Sequence, residues 1–307
     1  MVGNPEKLSA LCGANDGNLR AMEDYLGAPV VSRGNELTVA TSDEDVCRKF
    51  QVIVERLLSG PGPALQTPDL LAAILAGMVD DSPFSFTDSC IVIPHGTRRI
   101  YPKTAKQAEL IAKFRSHEVI FSVGPAGTGK TFLAVAEALR LVLSRQVRRM
   151  VITRPVVEAG ESLGFLPGDL EQKINPYLRP LYDAIETMIP PEILRRMEDS
   201  RMLEIAPLAY MRGRTLDDAV IILDEAQNTT GEQMKMFLTR LGNGSRAIIT
   251  GDPTQVDLPA RIESGLLQAV RIVAQVPEIA VVALEAGDVV RNPLVKKIVQ
   301  AYEQEKN

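Results

Sequence analysis

The rhythm of apolar and polar positions changes near residue 96. Beyond it, short apolar runs without alternation, VIFSV (119–123), MVIT (150–153), AVIIL (219–223), AIIT (247–250) and AVVAL (280–284), sit between helix-like segments. Strands apolar on both sides suit a parallel sheet covered on both faces, so residues 96–307 are expected to form a three-layer α/β domain. The first 57 residues read as short elements in the order β-α-β-β-α. LSALCG is taken as a strand and NLRAMEDYLG as a helix capped by Asn18 and closed by Gly27. Two β-branched runs around Arg33-Gly34-Asn35 form a hairpin, and the segment from Ser42 starts an amphipathic helix with a Ser42–Asp45 capping-box-like pattern. This order predicts a small α+β module at 1–57. Residues 58–95, rich in Gly and Pro, read as a linker carrying one short apolar helix, DLLAAILAGM.

Charge divides unevenly over these parts. Residues 1–95 hold 6 Lys/Arg and 13 Asp/Glu, a net of −7, and residues 96–307 hold 28 and 26, a net of +2. A globally basic nucleic-acid binder is excluded, and phosphate contacts must come from local patches. Three cysteines (Cys12, Cys47, Cys90) without a CxxC, and two histidines, indicate neither a disulfide framework nor a zinc site. The N-terminus lacks the build of a signal peptide, and no apolar run approaches the ~18 residues of a membrane span. A cytoplasmic protein without membrane contact is expected.

The strongest chemical signal is GPAGTGKT at 124–131, which fits GxxxxGK[ST] with an apolar strand before it and a helical pattern after it. Phosphates need convergent backbone N–H groups at a helix N-terminus, which the loop of Gly124, Pro125, Ala126, Gly127, Thr128 and Gly129 is placed to supply from every residue except Pro125, which shapes the turn without donating. Lys130 suits the β- and γ-phosphates and Thr131 a Mg²⁺ ion, which makes ATP and Mg²⁺ the expected cofactors. In AVIILDEAQN the strand ends in Asp224, a Mg²⁺ partner, followed by Glu225, a base for the attacking water. In AIITGDPTQVDLP, Asp252 and Gln255 sit where a γ-phosphate sensor would, although GDP is also an ordinary turn.

GPAGTGKT, TRP (153–155), LDEAQN and GDPTQVDLP, in this order, resemble motifs I, Ia, II and III of a superfamily 1 helicase motor. With GESLGFLPGDLEQKINPYLRPLYDA (160–184), RGRTL (212–216) and DVVRNPLVKKIVQAYE (288–303), the chain is similar to the PhoH-like proteins over nearly all of 96–307. Residues 7–57 resemble the N-terminal KH-like module of longer members. No GXXG loop occurs there, and the negative charge opposes phosphate binding, so a role in protein contacts is expected. The resemblance implies a RecA-like P-loop ATPase core acting on RNA, a homo-oligomer built as a hexameric ring, and an rRNA-maturation endoribonuclease as partner. It also implies that Gln107 reads adenine and that Arg291 meets the γ-phosphate. Asn292, where the family pattern has His, is a departure beside a retained Arg291.

RNA contacts are assigned to Arg154, Arg212 and Arg214, which follow strand ends or precede the DEAQ strand. Arg212 or Arg214 as a finger toward a neighbour's ATP, and surface ion pairs, are the alternatives. Phe165, Tyr177 and Tyr182 are stacking candidates that core packing would equally explain. The same motifs admit two other readings, an ATP-switched RNA-binding adaptor for a ribonuclease that unwinds nothing, and a small-molecule kinase with RGRTL as a lid. The water-activating acid of DEAQ disfavours the kinase.

Overall fold

The computed structural model describes residues 5–59, 68–79, 83–155, 170–259, 261–273 and 275–290. The chain divides into two compact units, Met1–Cys90 with Tyr101–Ala108, and Ile91–Ile100 with Glu109–Asn307.

In the first unit, helices α1 (Pro5–Cys12) and α2 (Gly17–Leu26) precede a hairpin of β1 (Val30–Arg33) and β2 (Glu36–Val39), followed by α3 (Glu44–Ser59) and α4 (Pro68–Val79). The segment LSALCG is therefore helical where a strand was expected. Leu8, Leu11 and Cys12 are all buried, at the i, i+3, i+4 spacing of one helix face. Asn18 lies inside α2, buried, with its amide donating to the Ala10 carbonyl, and Asp16 occupies the cap position. Gly27 closes the helix with φ +65°, a left-handed turn that suits glycine. The hairpin pairs Arg33 with Glu36 across Gly34 and Asn35. Before α3 the capping oxygen belongs to Asp43, which accepts the N–H groups of Asp45 and Val46, in place of the expected Ser42 pattern. Helix α4, from the segment read as a linker, contributes Leu70, Leu71 and Ile74 to the unit's core beside Met22, Ile53 and Leu57.

The second unit opens with a short hairpin, β3 (Ile91–Val92) and β4 (Arg99–Ile100), then α5 (Ala105–Ser116), whose Leu110, Ile111 and Phe114 enter this unit's core. Its sheet has six parallel strands. In chain order these are β5 (Val119–Val123), β6 (Arg149–Arg154), β7 (Leu203–Pro207), β8 (Ala219–Leu223), β9 (Arg246–Gly251) and β10 (Ile279–Ala283). Their spatial order is β10-β5-β9-β8-β6-β7. Helix α6 (Lys130–Leu143) follows β5, α7 (Leu170–Glu186) and α8 (Pro191–Asp199) lie between β6 and β7, and α9 (Gly231–Leu238) and α10 (Gly265–Val273) flank β9.

Strand alternation assigns the two faces. Ile120, Ile152, Ile222 and Ile248 pack with α6 and α8 on one side, and Phe121, Val151, Ile221 and Ile249 pack with α9 and α10 on the other. The result is the three-layer α/β, RecA-like arrangement. Because β9 is inserted between β5 and β8, and every strand runs the same way, the carboxyl ends of β5, β9, β8 and β6 open on one edge, where open α/β sheets bind ligands. Strand β7 carries no unbroken apolar run, because Glu204 interrupts it.

Candidate functional site

The loop between β5 and α6 leaves the sheet through Gly124, whose N–H donates to the Gly251 carbonyl at 3.1 Å. Gly124 has φ +152°, and a Cβ there would overlap the backbone carbonyl of Leu284, just past β10. Gly127 and Gly129 take φ +84° and +81°, so the chain curls back before Lys130 begins α6. The first N–H groups of a helix have no acceptor within it and point toward the loop, carrying the positive end of the helix dipole.

Lys130 is buried, and its Nζ donates to the carbonyls of Gly124 (2.6 Å) and Pro125 (2.7 Å) and more distantly to Thr128 Oγ1 (3.4 Å). Burial pulls its pKa below the ordinary lysine value, and the carboxylates of Asp252, Glu225 and Asp224 offset part of that. The ammonium is thus parked on its own loop, held by contacts that an anion with more charge can replace.

Opposite the lysine, Asp224 lies just past β8, nearly fully buried at 2% exposure. Its Oδ1 accepts hydroxyl hydrogen bonds from Thr131 at 2.7 Å and from Thr250, the penultimate residue of β9, also at 2.7 Å. Its Oδ2 meets the Arg154 guanidinium at 2.6 Å. A buried carboxylate satisfied by two hydroxyls and one guanidinium is an affordable buried charge. Glu225 follows with φ +53°, a left-handed conformation that costs a non-glycine residue about 1–3 kcal/mol and turns the side chain toward the loop. Its Oε2 accepts from Gln227 at 2.6 Å, and its Oε1 lies 3.4 Å from Arg154.

The turn after β9 joins these parts. Asp252 Oδ2 accepts the Ala126 N–H at 2.8 Å, and its Oδ1 accepts from the Thr254 N–H and hydroxyl. The Asp252 N–H donates to Gln227 Oε1 at 3.0 Å. Gln227 therefore bridges the catalytic-acid candidate and the loop anchor. Ala126, Gly127, Gly129, Lys130, Thr131, Phe132, Asp224, Glu225, Gly251, Asp252 and Gln255 line a common cavity of about 240 Å³. A cavity of that size admits a chain of phosphates. The hydroxyl of Thr131 beside the Asp224 carboxylate is a hard-oxygen pair suited to a Mg²⁺ that keeps most of its waters, with an ammonium nearby for the phosphates.

Gln107 belongs to the first unit and caps the start of α5, its Oε1 accepting the Lys103 N–H at 2.8 Å and its N–H donating to Thr104 Oγ1 at 3.3 Å. Arg154 is turned to the two acids, and Arg214 makes a bidentate pair with Glu204 at 2.5 and 2.7 Å. Arg212 is exposed in the loop after β7. Tyr182 is half-buried in α7. Arg291, Phe165 and the side chain of Tyr177 lie outside the described residues. The last described residue before Arg291, Val290, donates its N–H to the Gly127 carbonyl at 2.9 Å. Thr250 and Gln227 were missed from the sequence, and the only signal for Thr250 is a hydroxyl closing an otherwise apolar strand.

Residues 99–303 match the model of the family described as PhoH-like protein. The chain is 47% identical over 301 residues to a PhoH-like protein of Mycobacterium bovis, covering 97% of this chain and 85% of that one. It is 44% identical over 310 residues to a PhoH-like protein of Bacillus subtilis, covering 98% and 96%. To protein PhoH of Escherichia coli K12 it is 42% identical over 209 residues, 67% of this chain and 59% of that one. With that similarity running nearly end to end, the chain belongs to the PhoH-like family, proteins built on a P-loop ATPase-type core.

Proposed function

We propose that this protein hydrolyses ATP at the cavity beneath the β5–α6 loop and couples the reaction to rearrangement of RNA, acting as an assembly of several copies. The observation that carries the hydrolysis is the hydrogen bond between Thr131 Oγ1 and Asp224 Oδ1 at 2.7 Å, with Glu225 immediately beside it. Thr131 and Asp224 would hold Mg²⁺, which when bound neutralises charge on the β- and γ-oxygens. Lys130 exchanges its two loop carbonyls for phosphate oxygens, so its charge is delivered without crossing solvent. Gln255, at the cavity wall, has an amide able to orient the attacking water. Glu225 takes the water's proton through Oε1 while Gln227 holds Oε2. The water oxygen bonds to the γ-phosphorus, the bond to the β,γ-bridging oxygen breaks, and ADP and phosphate leave.

The RNA reading is supported by placement. Arg154 ends β6, and Arg212 follows the adjacent β7, beyond the same edge of the sheet that carries the acids. The described residues contain one large parallel sheet, so closure over the nucleotide calls for a second surface, which a neighbouring copy in a closed ring supplies. Arg291 as the cation at the γ-phosphate completes the reading. The test is ATP turnover with and without single-stranded RNA on a sample whose mass is measured in parallel. Turnover that rises with RNA in an oligomer is expected, and RNA-indifferent turnover by a monomer contradicts the coupling.

A further inference from the structure

We propose that Arg154 is a latch on the two acids, holding Glu225 out of its water-activating role until a phosphodiester strand lying along the β6–β7 side of the sheet edge draws the guanidinium away. The inference rests on the hydrolysis reading above and adds its regulation.

The geometry is specific. Arg154 terminates β6, directly beside β8, where Thr153 pairs with Leu223. One guanidinium nitrogen sits 2.6 Å from Asp224 Oδ2 and 3.4 Å from Glu225 Oε1. Asp224 Oδ1 is taken by Thr131 and Thr250, and Glu225 Oε2 by Gln227. The oxygen that Arg154 faces is thus the one Glu225 has left to receive a hydrogen bond from a water, and the guanidinium stands on the side from which that water would donate. The two contacts differ in strength. Asp224 is 2% exposed and its contact short, whereas Glu225 is 40% exposed and its contact long. The Glu225 arm is the one that releases cheaply, because an exposed ion pair is worth little.

What draws the arginine is set by where it stands. Arg154 is not among the residues lining the cavity that Lys130, Thr131, Glu225 and Gln255 share. It reaches the acids from β6 on one side of β8, while the phosphate loop reaches them from β5 on the other side, beyond β9. An anion arriving along β6 and β7 meets Arg154 before it meets the cavity. Guanidinium presents a planar fork that matches two phosphate oxygens, and a strand of such groups competes with the Asp224 and Glu225 carboxylates by local charge density. A single-stranded RNA backbone fits this better than a mononucleotide, which the cavity itself receives.

The test compares ATP turnover of the full chain, with and without a single-stranded RNA oligonucleotide, in wild type, Arg154→Gln and Arg154→Lys, with thermal unfolding measured alongside. Wild type is expected to turn over slowly alone and faster with RNA. Arg154→Gln is expected to raise the RNA-free rate about threefold or more and to flatten the response to RNA. Arg154→Lys keeps a charge but reaches one carboxylate at a time, and is expected to fall between them. A merely structural arginine would lower the melting temperature and the rate while leaving the RNA stimulation ratio as in wild type, and that result overturns the latch. If Arg154→Gln does not fold, Arg154→Lys decides by the same comparison, an RNA-free rate at or below wild type counting against the proposal. If wild type binds Mg·ATP without turnover, with or without RNA, the hydrolysis reading fails. That failure requires Arg154→Gln to be equally silent, and the latch falls with it; turnover by Arg154→Gln alone keeps the hydrolysis reading and overturns RNA as the group that releases the arginine.

Discussion

Asp252 Oδ2 accepts the backbone N–H of Ala126 at 2.8 Å, fastening the loop before α6 to the turn after β9 across 126 residues of chain. The same carboxylate holds Thr254 through Oδ1, and the Asp252 N–H reaches Gln227, which grips Glu225. The loop and the acid are therefore positioned by one buried residue that need not touch the reacting atoms. Replacing Asp252 with Ala leaves the Ala126 and Thr254 N–H groups without their acceptor, at about 1–3 kcal/mol. The expected outcome is a KM for ATP raised about tenfold, with a smaller loss in kcat. Steady-state kinetics on Asp252→Ala and Asp252→Asn checks this, the Asn variant retaining an acceptor and part of the affinity.

The buried ammonium of Lys130 gives a pH dependence of defined sign. Its pKa in the folded chain lies below the unfolded value of 10.5, because burial disfavours the charge. As pH rises through the lowered value the folded protein releases this proton before the unfolded chain does, so stability of the ligand-free protein rises between the lowered value and 10.5. Affinity for Mg·ATP moves oppositely and weakens over the same window, as the phosphates lose their cation. Binding titrations across alkaline pH check this. Lys130→Arg, charged throughout, is expected to show no such decline.

Arg214 was open between RNA, a neighbour's ATP and an ion pair. Its guanidinium is in a bidentate pair with Glu204, which lowers the Glu204 pKa from its ordinary 4.5 through the hydrogen bonds first. Both side chains are about one-third exposed, so screening holds the pair's worth to about 0–1 kcal/mol. That contribution is present above 4.5 and is lost as pH falls through the lowered value. Arg214→Ala is expected to destabilise by that amount at neutral pH and by progressively less as pH falls through the lowered Glu204 value, as read by denaturant unfolding.

The parts of the site written in contiguous residues were legible in the sequence. GPAGTGKT between an apolar strand and a helix, and an acid closing AVIIL, can only face one another if both strands are parallel, and they do. What was not legible is whatever depends on which strands become neighbours. Thr250 touches Asp224 because β9 lies beside β8, and Arg154 touches it because β6 lies on the other side. Neither adjacency is encoded locally. The strand reading of LSALCG failed for a related reason, since so short a run, apolar at Leu8, Ala10, Leu11 and Cys12, fits either period until the partner helices select one. β7 has no apolar signature of its own, because a strand on the sheet's edge can tolerate Glu204 within it.

Gly124 serves close approach more than phosphate contact. A side chain there would run into the Leu284 carbonyl, and φ +152° is unfavourable for any L-residue. Gly124→Ala is expected to cost about 1–3 kcal/mol of stability, through the contact between β5 and β10. Thermal unfolding of the ligand-free protein reports the loss directly, without reference to nucleotide.

The central claim is that water is activated by Glu225 against a nucleotide held by Lys130, Thr131 and Asp224. It is tested most directly by phosphate release from Mg·ATP in wild type and Glu225→Gln, with ATP binding measured on the same samples. The account predicts that Glu225→Gln binds ATP as wild type does and releases phosphate about 10²–10⁴-fold more slowly. Phosphate release at the wild-type rate from Glu225→Gln would contradict it.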